Sequence, residues 1–156
     1  MKNWFLFLLF SLVFLSASLS SCEKDKLSIN KGPCEKYQDA MSDVIYAAEK
    51  ANDYALDAYY SIELEDAHFY ADMAASYAKE AEEYADDAQN YAKKCGCEEG
   101  DDYAEDAEYY ASVARDYALD AYYSNDLGDV QFYAELAAEE ARDCEDEASS
   151  GEDVCE

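Results

Sequence analysis

Apolar side chains recur along residues 70–95 in steps of three and four: Ala71, Ala74, Ala78, Ala81, Ala85, Ala88, Ala92 and Cys95. Tyr70, Tyr77, Tyr84 and Tyr91 each stand one place ahead of one of these alanines. Steps of this size keep the alanines on one face of a helix, as the a and d positions of a heptad, with tyrosine at g. The same rhythm runs through Ala104, Ala107, Ala111, Ala114, Ala118 and Ala121 beside Tyr103, Tyr110 and Tyr117, and through Met41, Val44, Ala48, Ala51, Ala55 and Ala58. Polar and acidic residues fill the positions between. No run alternates with the period of two that a strand requires, so the pattern predicts helices only.

These elements repeat. Asp53-Tyr-Ala-Leu-Asp-Ala-Tyr-Tyr-Ser61 recurs letter for letter at 116–124, an offset of 63 residues, and the register carries outward to pair Phe69-Tyr70-Ala71 with Phe132-Tyr133-Ala134 and Cys34 with Cys97. A repeat of this kind is one supersecondary unit that buries its apolar face against its copy. The expected fold class is therefore all-α, a tandem duplication of a helical hairpin (34–95 and 97–156) closing into an antiparallel up-down four-helix bundle. Its seams pair Ala with Tyr, an arrangement that resembles an alanine coil. Alanine is also the best helix former, so propensity and pattern agree. Pro33 suits the start of the first helix, Lys93 and Lys94 complement the negative end of the second, and Gly96 can end it in the left-handed region. Turns are expected over 61–66 and 124–129, with Glu63 and Asp126 as caps. Each helix should run roughly 20 to 28 residues, about 30 to 40 Å.

Hairpin geometry also pairs the cysteines. Folding the first hairpin about residue 63 brings Cys34 beside Cys95, and folding the second about 126 brings Cys97 beside Cys155, so each bridge would close a hairpin at its open end. Cys144 is left over at a d position matching Ala81 and is expected to be a small buried thiol. Cys95-Gly96-Cys97 has the wrong spacing for zinc, and the single His lies elsewhere.

The first residues give an address. Lys2 precedes an apolar run, Trp4 to Leu15, that is too short to span a bilayer but suits the core of a secretory signal. The run leads into Leu19-Ser20-Ser21-Cys22, which resembles the lipobox of bacterial lipoproteins. The resemblance covers this segment only. It implies removal of residues 1–21, acylation of Cys22, and export to a lipid-anchored position on a bacterial outer membrane, on its periplasmic or cell-surface side. Residues 22–33 would then form a tether, and an oxidising compartment would favour the two disulfides.

The chain left after cleavage carries 10 basic and 38 acidic side chains, a net charge of −28. The second hairpin is the more acidic, with 2 basic and 21 acidic residues over 97–156 against 5 and 15 over 34–95. A field of this sign repels phosphate backbones, which argues against nucleic acid as a partner. Catalytic patterns are scarce. Glu65-Asp66-Ala67-His68 has the Glu-x-x-His spacing of di-iron bundles, but the copy has Gly128 and Gln131 there and the inward positions are alanine. No phosphate-cradling glycine loop, nucleophile elbow or twelve-residue calcium loop is present. No metal, cofactor or enzymatic activity is expected.

One surface departs from the seam. Tyr59, Tyr60, Ile62, Leu64 and Phe69, with Tyr122, Tyr123, Leu127 and Phe132 in the copy, gather around the two turns, at the end opposite the tether and both bridges. Tyrosine offers contact area with a polar handle, the chemistry favoured at recognition surfaces. The expected function is a lipid-anchored, non-enzymatic binding or accessory module that presents this aromatic, acidic tip to a protein partner in the cell envelope, within an outer-membrane assembly. The alternative is an acidic protein that binds divalent cations or polycations.

Overall fold

The computed structural model describes residues 31–155. Four helices account for nearly all of them: α1 (Pro33–Tyr60), α2 (Leu64–Cys95), α3 (Glu98–Tyr123) and α4 (Leu127–Gly151). Each packs along its chain neighbour, and α4 returns to pack along α1, which closes an up-down four-helix bundle whose diagonal pairs touch much less. Three-residue turns join the helices of each hairpin, and Gly96 and Cys97 join the hairpins.

The helix ends follow from their residues. Pro33 opens α1, where the Glu35 carboxylate accepts the Gly32 amide at 3.0 Å. At the end of α2, Gly96 turns left-handed (φ 79°), and the amides of Gly96 and Cys97 both donate to the Ala92 carbonyl at 2.9 and 3.1 Å. Asp126 caps α4 by accepting the Gly128 amide at 2.9 Å. The matching cap expected at Glu63 is not made. Glutamate carries one methylene more than the short side chains that close this local ring. Helix α2 runs to 32 residues, longer than expected, because nothing between Leu64 and Cys95 interrupts a good helix former until glycine arrives.

The core is an alanine seam. Every a and d alanine of the three predicted series is buried, as are Met41 and Val44. Ala40, Ala47, Ala75 and Ala138 add a second buried row. The space among Ala48, Ala51, Ala78, Ala81, Ala111, Ala114, Ala141 and Cys144 is too small to hold a water molecule. The tyrosines at g, Tyr70, Tyr77, Tyr84 and Tyr91 on α2 and Tyr103, Tyr110 and Tyr117 on α3, lie half-buried along its flanks.

The two copies are not interchangeable inside. Their few large core residues face small ones at the duplicated position: Tyr37 against Gly100, Met41 against Ala104, Val44 against Ala107, Cys144 against Ala81 and Val130 against Ala67. The first pair is the most demanding. Tyr37 is fully buried and donates its hydroxyl to the Gly151 carbonyl at 2.8 Å. A β-carbon on Gly100 would lie 3.0 Å from Tyr37 Cζ and would overlap the Cys155 sulfur, while one on Gly151 would lie 2.6 Å from Tyr103 Cβ and 2.9 Å from Met41 Cε. Both glycines are therefore required by close approach. Burial, with Tyr103 and Glu99 adding to it, pushes the Tyr37 phenol up to about 12, so it stays protonated and can donate.

Beside this knot the structure joins Cys34 to Cys95 and Cys97 to Cys155, with Cα–Cα distances of 5.3 and 5.7 Å. The bridges span 61 and 58 residues, and loops of that size are worth about 4 kcal/mol each on the chain-entropy model. Cys144 remains a free, buried thiol.

Candidate binding surface at the hairpin tips

The turns at the far end of the bundle hold one another in place. His68 Nε2 lies 2.7 Å from the Ser124 carbonyl, and Gln131 Nε2 donates to the Ser61 carbonyl at 3.0 Å. His68 and Gln131 are duplicated positions, and so are Ser61 and Ser124, so each hairpin clamps the turn of the other through the same contact. A carbonyl only accepts, which makes His68 the donor through Nε2–H. His68 thus belongs to the scaffold of the tip.

On this scaffold the nine tip residues divide. Tyr59, Leu64 and Leu127 are half-buried and pack against the core cluster of Ala58, Ala67, Ala71, Ala121, Val130 and Ala134. Tyr60, Ile62, Phe69, Tyr123 and Phe132 are exposed, by 73, 86, 60, 72 and 56%, and Tyr122 by 37%. Among the described residues the other large exposed apolar side chains are Tyr46 and Tyr109, on the outer faces of α1 and α3. Four ring contacts at the tip join neighbours on one helix, Tyr59 with Tyr60, Phe69 with Tyr70, Tyr122 with Tyr123 and Phe132 with Tyr133, at centroid distances of 4.8 to 5.4 Å, and His68 meets Tyr122 across α2 and α3 at 6.0 Å. In heptad terms Tyr60, Phe69, Tyr123 and Phe132 all occupy outward f positions, one per helix. They ring the end of the bundle instead of forming one flat patch, and carboxylates stand between them: Asp57, Glu63, Glu65 and Asp66, with Asp120, Asp126 and Asp129 in the copy.

No Lys or Arg occurs in 51–78 or in 116–141, so the tip half of the bundle is anionic without internal relief. Ion pairs reach only its edge, Lys50 with Asp53 at 3.1 Å and Arg115 with Asp116 at 3.2 Å, and others lie beyond it, as in Lys79 with Glu83 at 3.2 Å and Lys93 with Asp101 at 3.4 Å. A groove of about 430 Å³ between α2 and α3 is lined by Lys79, Glu82, Glu83, Asp86, Asp87 and Glu108. Arg115 enters it and pairs with Glu82. Desolvation first, then Asp86 and Glu82, hold the Glu108 carboxyl above its ordinary range. In α4 the g row reads Tyr133, Glu140, Glu147. Both glutamates are half-buried near Tyr110, whose phenol is raised by burial and by the surrounding carboxylates.

Among the described residues no group of three or more His, Cys, Asp and Glu is placed to hold a metal ion, and no helix is long and apolar enough to cross a membrane. Residues 1–30, with Cys22 and the signal segment, lie outside the described residues. Comparison of the chain with protein-family models, curated proteins and solved structures yields no match.

Proposed function

We propose that the chain is a non-enzymatic binding module of the bacterial cell envelope, anchored through lipid at Cys22, that engages a protein partner with the exposed ring of the tip. One observation carries the reading: six of the eight large apolar side chains exposed among the described residues gather at this one end. Exposed apolar side chains gathered in this way mark interaction sites. Tyrosine and phenylalanine exposed on four helices suit a partner that caps or encircles the end of a rod. The rod itself is a spacer. Its first helix of 28 residues rises about 42 Å from the disulfide end to the tip.

The test is co-purification from the native membrane with Tyr60, Ile62, Phe69, Tyr123 and Phe132 replaced by Ser, none of which is buried. The altered chain should fold and melt as wild type and lose its partner. Retention of the same partner at wild-type yield refutes the tip reading. Anchoring is tested separately: Cys22→Ser should release the chain from membranes, and a wild-type chain that is soluble with an unmodified N-terminus refutes the lipid anchor.

A further inference from the structure

A local twofold axis runs along the bundle and leaves it through the tip. Rotation about it carries α1 onto α3 and α2 onto α4, the pairs that stand diagonally across the bundle. The clamp obeys this rotation, because the contacts of His68 with the Ser124 carbonyl and of Gln131 with the Ser61 carbonyl exchange under it. So do the exposed rings. Tyr60 and Tyr123 are almost equally exposed, as are Phe69 and Phe132. Tyr60 meets Tyr59 at 4.8 Å and 76°, and Tyr123 meets Tyr122 at 4.9 Å and 72°. Phe69 and Phe132 each lie at 67° to the tyrosine that follows them. Asp57, Glu63 and Asp66 are matched by Asp120, Asp126 and Asp129. Within 57–69 the exposed positions that differ in kind from their copies are Ile62, against Asn125, and Glu65, against Gly128. Toward the other end the twofold fails, with Lys36 replaced by Glu99, Tyr37 by Gly100 and Tyr91 by Val154.

Charge narrows what can cover this end. Residues 54–78 hold 5 acidic side chains and residues 117–141 hold 6, with no Lys or Arg in either span. Among the described residues none of these carboxylates forms an ion pair. A second copy of this chain is therefore a poor cap, because its tip brings the same sign of charge to the contact. A face carrying Lys and Arg complements the carboxylates, and its Arg side chains can also stack on the rings.

We propose that the partner of the tip is a twofold-symmetric protein dimer with a basic face, whose axis lies along the bundle axis and whose two subunits each take the rings of one hairpin. Twofold dimers are the commonest protein oligomers, and such a dimer offers the same pocket twice at a fixed separation. Two equivalent contacts made together hold far more tightly than either alone, since the second forms within the complex. An asymmetric partner would have to meet two like sets of rings with unlike surfaces. This rests on the tip being the binding surface and adds the symmetry and charge of what binds.

The experiment is photo-cross-linking of the full chain in its native membrane, with p-benzoylphenylalanine in place of Tyr60 in one variant and of Tyr123 in another. Both positions are exposed, so neither replacement disturbs the core. The two variants should capture the same polypeptide at the same residues, and the released complex should have the mass of one chain with two copies of that polypeptide. Tyr60→Ser with Phe69→Ser, and Tyr123→Ser with Phe132→Ser, should each weaken retention of the partner by a similar factor of at least about ten. Added salt should weaken it in the unaltered chain. Capture of different polypeptides from the two positions, or of different residues of one, overturns the twofold partner and leaves the tip as the binding surface. A strong effect of one double variant beside none from the other does the same, as do links between copies of this chain. Retention indifferent to salt overturns the basic face. No cross-link from either position removes the tip reading itself, and this proposal with it.

Discussion

Met41→Ala tests whether the two copies fit by complementary volume. Met41 is fully buried, and its Cε comes within 2.9 Å of the place a β-carbon on Gly151 would occupy. The substitution deletes three heavy atoms from the most closely packed part of the bundle. Replacing a buried Met by Ala costs about 2 to 5 kcal/mol, depending on how far the site can collapse. Here the backbones already approach across glycine and alanine, and the Cys97–Cys155 bridge holds the ends of α3 and α4, so the cost should fall in the upper half, about 3 to 5 kcal/mol. For a domain of this size that corresponds to a fall in Tm of roughly 10 to 20 °C. Ala104 occupies the duplicated position in the same core cluster. Alone, Ala104→Met should overpack and cost about 1 to 3 kcal/mol. Combined with Met41→Ala it moves the same side chain across the axis, so the double variant should be more stable than Met41→Ala by at least about 1 kcal/mol, a coupling of the size expected for residues that share a cavity. Thermal and urea unfolding followed by circular dichroism measure all three. A cost below about 1 kcal/mol for Met41→Ala, or simple addition of the two losses in the double variant, would refute the complementary packing.

The remaining expectations concern the bridges, the clamp, the free thiol and charge. Cys34→Ser with Cys95→Ser should lower stability by about 2 to 4 kcal/mol, and unchanged unfolding would show that the alanine seam holds the open end by itself. Gln131→Ala should cost about 1 kcal/mol and speed amide exchange in the turn at 61–63, whereas unchanged exchange there would remove the reciprocal clamp. Cys144, whose thiol burial pushes up to about 12, should resist alkylation at pH 8 until the chain is unfolded; labelling of the folded protein would contradict its burial. Burial, reinforced by neighbouring carboxylates, raises the folded pKa of Glu108, Glu140 and Glu145, so protons bind the folded form preferentially and the stability this brings is present at low pH and lost as pH rises through those values. The Tm should therefore be higher near pH 5 than near pH 7.5, with the gap narrowed by salt, and a Tm that falls on acidification would show that pairs such as Arg115 with Glu82 dominate.

The parts of this molecule that were legible in its sequence are those set by one residue at a time. Alanine in steps of three and four can face only one way on a helix, and folding each hairpin about its turn carries Cys34 to Cys95 and Cys97 to Cys155 whatever the side chains between them do. What escaped that reading depends on two distant residues together. Tyr37 looks like one more tyrosine until Gly100, its duplicated position, is seen to supply the room for it. His68 looks like a surface residue until Gln131 is seen to make the same contact in the opposite sense. In both cases the signal was the 63-residue register, applied to the differences between the copies instead of their likeness. The tip was located by its residue types, but its division into half-buried and exposed rings depends on helix phase at the turns, which composition does not specify.

Those differences fall into two kinds, and the distinction has a physical basis. Inside, the copies share one core, so a large side chain in one must be met by a small one in the other, and Tyr37 with Gly100, Met41 with Ala104 and Val130 with Ala67 all obey this. Outside, each helix face meets solvent independently, and packing places no such condition on it. Tyr46 and Tyr109, Tyr60 and Tyr123, and Phe69 and Phe132 are the same residue in both copies and exposed in both, although burial gives no reason to keep an aromatic ring there. The exchange of Lys50 for Val113 and of Tyr77 for Glu140 also lies off the a and d seam, yet no core partner compensates it. The compensation is instead local and electrostatic: Glu49 gives way to Ser112 and Asn52 to Arg115, which pairs with Asp116 at 3.2 Å as Lys50 pairs with Asp53 at 3.1 Å, so the outer faces exchange their charged groups without changing their sum.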